Sequence, residues 1–311
     1  MPERMEHMEQ IERYQTHRIV LELSHVGIRF GGVQALDDVS FQVREGALTG
    51  IIGPNGAGKT TIFNLITGVY NPTSGTIYYR EQDITPLRAY QVIRLGVART
   101  FQNLRLFPRS SALENVMTAA QNRYVNSFRE TLRGFLIPAN RPDPDYCYSF
   151  VESLLHAGRW GRVERRLRET SMELLDRVGL ADRAGQAAGT LPYGMQRRLE
   201  IARALALGPK LLLLDEPAAG MNPEEVLALN ELITGIHRDF NLTTLIIEHH
   251  MDVILNICPH IICVNFGAKI FDNEDKEDYD VMAIVRSREA VQNDPEVLAA
   301  YLGKDDDAET A

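Results

Sequence analysis

Gly53-Pro54-Asn55-Gly56-Ala57-Gly58-Lys59-Thr60 fits the phosphate-binding pattern G-x-x-x-x-G-K-[ST]. Its glycines let main-chain amides close around phosphate oxygens, and a helix beginning near Lys59 aims its positive dipole end at them. Lys59 is expected to reach the β/γ-phosphates and the Thr60 hydroxyl to ligate Mg²⁺. The expected nucleotide-contact set is therefore Gly53, Pro54, Asn55, Gly56, Ala57, Gly58, Lys59, Thr60 and Thr61. Four fixed positions are a demanding pattern, and a glycine turn beside an ordinary lysine is the weaker explanation.

The flanks agree with the loop. Residues 47–52 (ALTGII) form a short apolar strand that ends in the glycines, while Ile62, Leu65 and Ile66 follow at helical spacing before Gly68. Further strands are expected at 19–23, 41–43 and 76–79, with turn chemistry at 71–75. Residues 102–207 read as mainly helical; Met195, Leu199, Ala202 and Ala206 form a stripe, and the proline-rich 137–144 reads as a loop. Five arginines in 159–168 suit a solvated helix face better than an anionic-lipid contact. Apolar runs at 210–214 and 242–247 suit strands buried on both faces of a parallel sheet, and 261–264 is a further strand. Between the first two lies a helix with Asn222 as N-cap, Pro223 at N1 and Glu225 closing a capping box. Strand, helix, strand with a helical block inserted makes the chain α/β.

Composition sets the outer limits. The chain has 311 residues, 44% apolar and 24% charged, with net charge −9. That is an ordinary globular balance, long enough for about two domains, and it gives no electrostatic reason to expect nucleic acid as a partner. Cys147, Cys258 and Cys263 lack the spacing of a disulfide framework or a zinc site, so a reducing compartment is the default. No apolar run approaches the ~20 residues of a membrane span. Residues 1–18 are charged throughout and read as a flexible leader rather than a signal peptide.

A second constellation completes the chemistry. Leu214-Asp215-Glu216 puts carboxylates at the C-terminal end of a buried strand, where a P-loop protein holds Mg²⁺. Asp215 is expected to serve the metal, through water, and Glu216 to polarise the attacking water as general base.

These motifs together resemble the ATPases of ABC transporters. Leu191-Pro192-Tyr193-Gly194-Met195-Gln196-Arg197-Arg198-Leu199-Glu200 is similar to the family's signature segment, and Ala219-Gly220-Met221-Asn222 to its D-loop. Gln102, within Arg99-Thr100-Phe101-Gln102-Asn103, resembles the Q-loop glutamine, and His249, after Glu248, the switch histidine. Phe30, before Gly31-Gly32, occupies the place of the aromatic that stacks on adenine. Within the family, 98–103, 197–203, 215–220 and 293–303 look like the ATP-binding subunit of branched-chain amino acid importers. The likeness runs from about Ile19 to Gly303.

The resemblance implies a P-loop ABC ATPase fold: a RecA-like core sheet, a small antiparallel β subdomain and an inserted helical subdomain at about 103–207. The ATPase domain would cover 19–271, with 272–311 a C-terminal extension carrying an acidic tail. It also implies ATP and Mg²⁺ as cofactors. Two ATPs would be sandwiched between cassettes, each between the P-loop with Asp215/Glu216 of one and Tyr193 and Gly194 of the other. Gln102 would touch the metal and relay motion, and His249 would sense the γ-phosphate. The implied partners are membrane-spanning permease subunits, a second ATPase subunit (a distinct homologous chain, with a second copy of this one as the alternative), and a periplasmic solute-binding protein. The implied place is peripheral on the cytoplasmic face of the cell membrane. Urea, short amides or lipopolysaccharide export are alternative cargoes; a soluble non-transport ATPase fits less well, since the chain has neither two cassettes nor long coiled coils. Three positions depart from the pattern: Pro192 replaces the usual signature Ser, Met195 a Gln or Glu, and His250 an Asp. The stretch 272–280 looks like an acidic, solvated insertion.

Overall fold

The computed structural model describes residues 18–121, 160–249, 251–273 and 281–302. The leader before Arg18, the 137–144 loop, Arg159, His250, residues 274–280 and Cys147 lie outside them.

The elements follow in order: β1 (Ile19–Phe30), β2 (Val33–Arg44), β3 (Leu48–Ile52), α1 (Lys59–Ile66), β4 (Ser74–Tyr79), β5 (Gln82–Asp83), α2 (Ala89–Arg94), β6 (Val97–Arg99) and α3 (Ala112–Ala120). Then come α4 (Trp160–Arg177), α5 (Tyr193–Ala206), β7 (Leu211–Asp215), α6 (Pro223–Asp239), β8 (Thr243–Ile247), α7 (Met251–Ile257), β9 (His260–Asn265), β10 (Ala268–Asp272), α8 (Val281–Asn293) and α9 (Pro295–Leu302). They divide between two compact units. The first takes Met1–Val97, Leu213–Ala218 and Ile233–Ala311; the second takes Ala98–Leu212 and Ala219–Leu232.

One sheet of the chain has four antiparallel strands in the order β2-β1-β4-β5. The other has six in the order β10-β9-β3-β8-β7-β6, with β3 parallel to both β8 and β9 and β10 antiparallel at the edge. Every residue of β3, β7 and β8 is buried. Their sequences, LTGII, LLLLD and TTLII, accordingly show no alternation of apolar with exposed polar positions. The β1–β2 hairpin is longer than its apolar spots indicate, because the first half of β2 carries exposed polar Gln34, Asp37 and Asp38, and buried and half-buried residues alternate only from Val39 to Arg44. Asp37 donates its N–H to the Gly267 carbonyl at 2.8 Å, tying this hairpin to the β9–β10 turn.

In the second unit, α3, α4 and α5 pack on one another. Val163 and Leu167 of α4 are buried while Arg162, Arg165, Arg166 and Arg168 are exposed, the solvated face expected of that run. The reading of 102–207 as mainly helical is too generous at its start. Residues 101–111 carry no helix, and Asn115 of α3 holds them by accepting the Phe107 N–H and donating to the Phe107 and Ser110 carbonyls. Asn222 and Glu225 close the expected capping box, each accepting the other's backbone N–H at 3.0 Å.

Candidate active site

β3 and β8 run parallel, and a hydrogen bond from the Glu216 amide to the Ile247 carbonyl sets the end of β7 beside the end of β8, the usual place for a ligand in such sheets. From those three ends emerge Gly53, then Glu248-His249, then Asp215-Glu216.

Two glycines shape the loop after β3. Gly53 has φ 149°, and a Cβ there would lie 2.0 Å from the Val264 carbonyl oxygen. Gly58 has φ 106°, and a Cβ would meet Leu36 Cδ2 at 2.6 Å. No side chain fits either position. Gly58 is also the N-cap of α1, so no side chain caps the helix start, and its first N–H groups face the loop. Lys59 is 6% exposed and donates Nζ to the carbonyls of Gly53 at 2.6 Å and Pro54 at 2.9 Å. Burial pushes its ammonium below the ordinary lysine range, against the opposing pull of Glu216, Glu248 and Asp215. A phosphate chain would relieve that burial of charge. Thr60 is exposed and Thr61 half-buried.

Asp215 is 1% exposed at the end of β7. Glu216 adopts φ 46°, a left-handed conformation that costs a non-glycine residue of order 1–3 kcal/mol. Its amide donates to the Ile247 carbonyl at 2.9 Å, and its carboxylate lies 3.8 Å from His249 Nδ1. Strain at a mostly buried carboxylate is characteristic of functional positions. His249 is also 3.7 Å from Glu248, so its ring stands between two carboxylates. The hydroxyl of Thr60 and the carboxylate of Asp215 are hard oxygen donors, a set whose chemistry fits Mg²⁺.

Phe30 ends β1 with 43% of its surface open, and its ring meets Tyr70 edge-to-face at 5.1 Å. Thus the first unit holds the loop, Asp215, Glu216, His249 and Phe30. Gln102, Tyr193 and Gly194 belong to the second unit, where the Gln102 carbonyl accepts Arg197 Nη2 at 2.5 Å. Pro192 is the N-cap of α5, which begins without a side-chain cap.

The geometry adds residues that the motifs did not single out. Glu248 is fully buried and accepts the Ala218 N–H at 2.8 Å and the His249 N–H at 3.3 Å, holding the segments after β7 and β8 together. A carboxylate preceding the histidine at a strand end was the available signal. Tyr70 gave none, since only the turn at Gly68 brings it to Phe30. Tyr301 of α9 lies against the Gly53 backbone, and burial pushes its phenol above the ordinary range. Asp272 is no solvated residue: in β10 it accepts from His260 Nε2 and Lys269 Nζ, both at 2.9 Å.

Known proteins resemble the chain along most of its length. The family model "ABC transporter" matches residues 36–219. The high-affinity branched-chain amino acid transport ATP-binding protein BraF of Pseudomonas aeruginosa is 39% identical, over 92% of this chain and 99% of its own. The protein of the same description named LivG in Escherichia coli K12 is 36% identical over 92% and 98%. Among solved structures, an ATP-binding cassette of an ABC transporter in its ADP conformation superposes with TM-score 0.70 at 29% identity, over 92% of this chain and 99% of that one. A nucleotide-free cassette gives 0.69 at 28% identity, over 92% and 100%. The fold is that of an ABC ATPase cassette, and the chain belongs to the ABC transporter family.

Proposed function

We propose that this chain is the ATP-binding and ATP-hydrolysing subunit that powers import of branched-chain amino acids by an ABC transporter. The observation that carries the reading is the buried Lys59, whose Nζ is held by the Gly53 and Pro54 carbonyls of its own glycine loop. The names of the relatives BraF and LivG support the cargo.

On this reading the amides of 53–61 and the Lys59 ammonium bind the triphosphate, Lys59 giving up its bonds to the Gly53 and Pro54 carbonyls. Phe30 stacks on the base, with Tyr70 fixing the ring plane. Glu216 accepts a proton from the attacking water, and His249, steadied through its N–H by Glu248, donates to the γ-phosphate. Thr60 and Asp215 would hold Mg²⁺, which when bound would neutralise phosphate charge. Tyr193 and Gly194, at the start of α5, offer amides and a positive helix end to the ATP of a second cassette, a distinct homologous chain. That closure excludes water and commits the nucleotide. The pair would sit on the cytoplasmic face of the membrane beneath permease subunits fed by a solute-binding protein. Among the described residues no helix is long and apolar enough to cross a membrane.

The test is uptake. The chain, purified with the membrane proteins that hold it and sealed into vesicles with internal Mg-ATP, should drive accumulation of labelled leucine, isoleucine or valine. ATP-driven movement of urea, a short amide or lipopolysaccharide instead would overturn the cargo.

A further inference from the structure

The second unit contains a buried ion pair to which the proposed chemistry gives no part. Arg197 and Glu200 lie one turn apart on α5, 3% and 5% exposed, with Nη1 3.2 Å from Oε2. A guanidinium carries five N–H donors, and here each has an acceptor. Nε donates to the Tyr193 hydroxyl at 3.1 Å. Nη1 donates to the Phe101 carbonyl at 2.9 Å and to Glu200. Nη2 donates to the Gln102 carbonyl at 2.5 Å and to the Tyr193 hydroxyl at 2.8 Å. Glu200 returns the connection by accepting the Phe101 N–H at 3.3 Å. The Tyr193 ring lies under the guanidinium at 5.3 Å, and a Cβ on Gly220 would sit 3.4 Å from its Cε1.

A buried ion pair is a poor source of stability, because desolvation offsets much of the Coulomb gain. A planar fork with fixed donor directions is, by contrast, well suited to fixing geometry. Every acceptor of Arg197 apart from its counter-ion belongs to one of two places, the 101–102 backbone or the first residue of α5. We infer that Arg197, with Glu200 as its counter-ion, is a positioning residue that locks the Gln102 backbone to the Tyr193–Gly194 start of α5, so that the two move as one body. A shift on either is then delivered to the other without a change in nucleotide affinity at the P-loop. The inference rests on the proposed roles of Gln102, Tyr193 and Gly194.

The experiment measures Mg-ATP turnover in the assembled complex and Mg-ATP affinity in the full chain. Arg197→Lys keeps the charge but loses the fork. Since misplacement by about 1 Å costs on the order of 100-fold, it should lower kcat about 10- to 100-fold while leaving the ATP Kd unchanged. Arg197→Met/Glu200→Leu replaces the pair by apolar groups of similar size and should restore the melting temperature without restoring turnover. Recovery of turnover together with stability would make the pair merely structural and overturn the inference, as would wild-type kcat in Arg197→Lys. Lys59→Ala, run alongside, separates the two ideas: if it still binds Mg-ATP the proposed function fails, whereas if it loses ATP and Arg197→Lys behaves as wild type only the inference fails.

Discussion

Glu248→Ala isolates a contact that no motif describes. The carboxylate has no exposed surface and accepts the amide of Ala218, itself 1% exposed, at 2.8 Å. After truncation water cannot reach that amide, so one buried donor is left unsatisfied, at a cost of about 1–3 kcal/mol. The second bond, from the half-buried His249 amide at 3.3 Å, adds less because solvent can replace it. Relief of the buried charge works the other way, which keeps the net loss within about 1–3 kcal/mol rather than above it. Glu248→Gln retains an oxygen for Ala218 and should lose under about 1 kcal/mol. Urea unfolding of the full chain reads both: the midpoint should fall for Ala with an unchanged slope, and fall much less for Gln. An Ala variant as stable as the wild type, or a Gln variant no better than Ala, would refute this account of the bond.

Glu216→Gln should bind Mg-ATP yet turn it over about 10²–10⁴-fold more slowly, as expected for loss of a general base, in a phosphate-release assay; near wild-type turnover would remove Glu216 from that role. Pro192→Ser gives α5 a hydroxyl at its N-cap, worth about 1 kcal/mol, and should raise both the melting temperature and the turnover of the assembled complex. For Asp272, burial raises the carboxyl pKa, but bonds from His260 and Lys269 outweigh it and leave the folded value below the ordinary one. Its stabilisation is therefore present above the unfolded pKa and lost as pH falls through the folded one. The melting-temperature gap between wild type and Asp272→Asn should be widest at neutral pH and close below about pH 4.

Where the sequence carried steric or chemical necessity, it was legible. Gly53 and Gly58 sit where a Cβ collides with backbone or core, and the apolar runs of β3, β7 and β8 admit no exposed face. The Asn222–Glu225 box is a local pattern with a local cause. What escaped depends on contacts across long separations. Arg197 lies 95 residues from Gln102, and Glu248 lies 30 from Ala218. The non-helical 101–111 is held by the Asn115 side chain and by a bridge from Ser111 to Ala187, neither of which periodicity reveals. Asp272 read as part of an acidic run, because nothing local announces His260 as its partner.

The grip on the triphosphate is the central claim, and titration of Mg-ATP into the full chain and into its Lys59→Ala variant tests it most directly. The account predicts saturable binding by the wild type and none by the variant. Equal affinity in the two would contradict it.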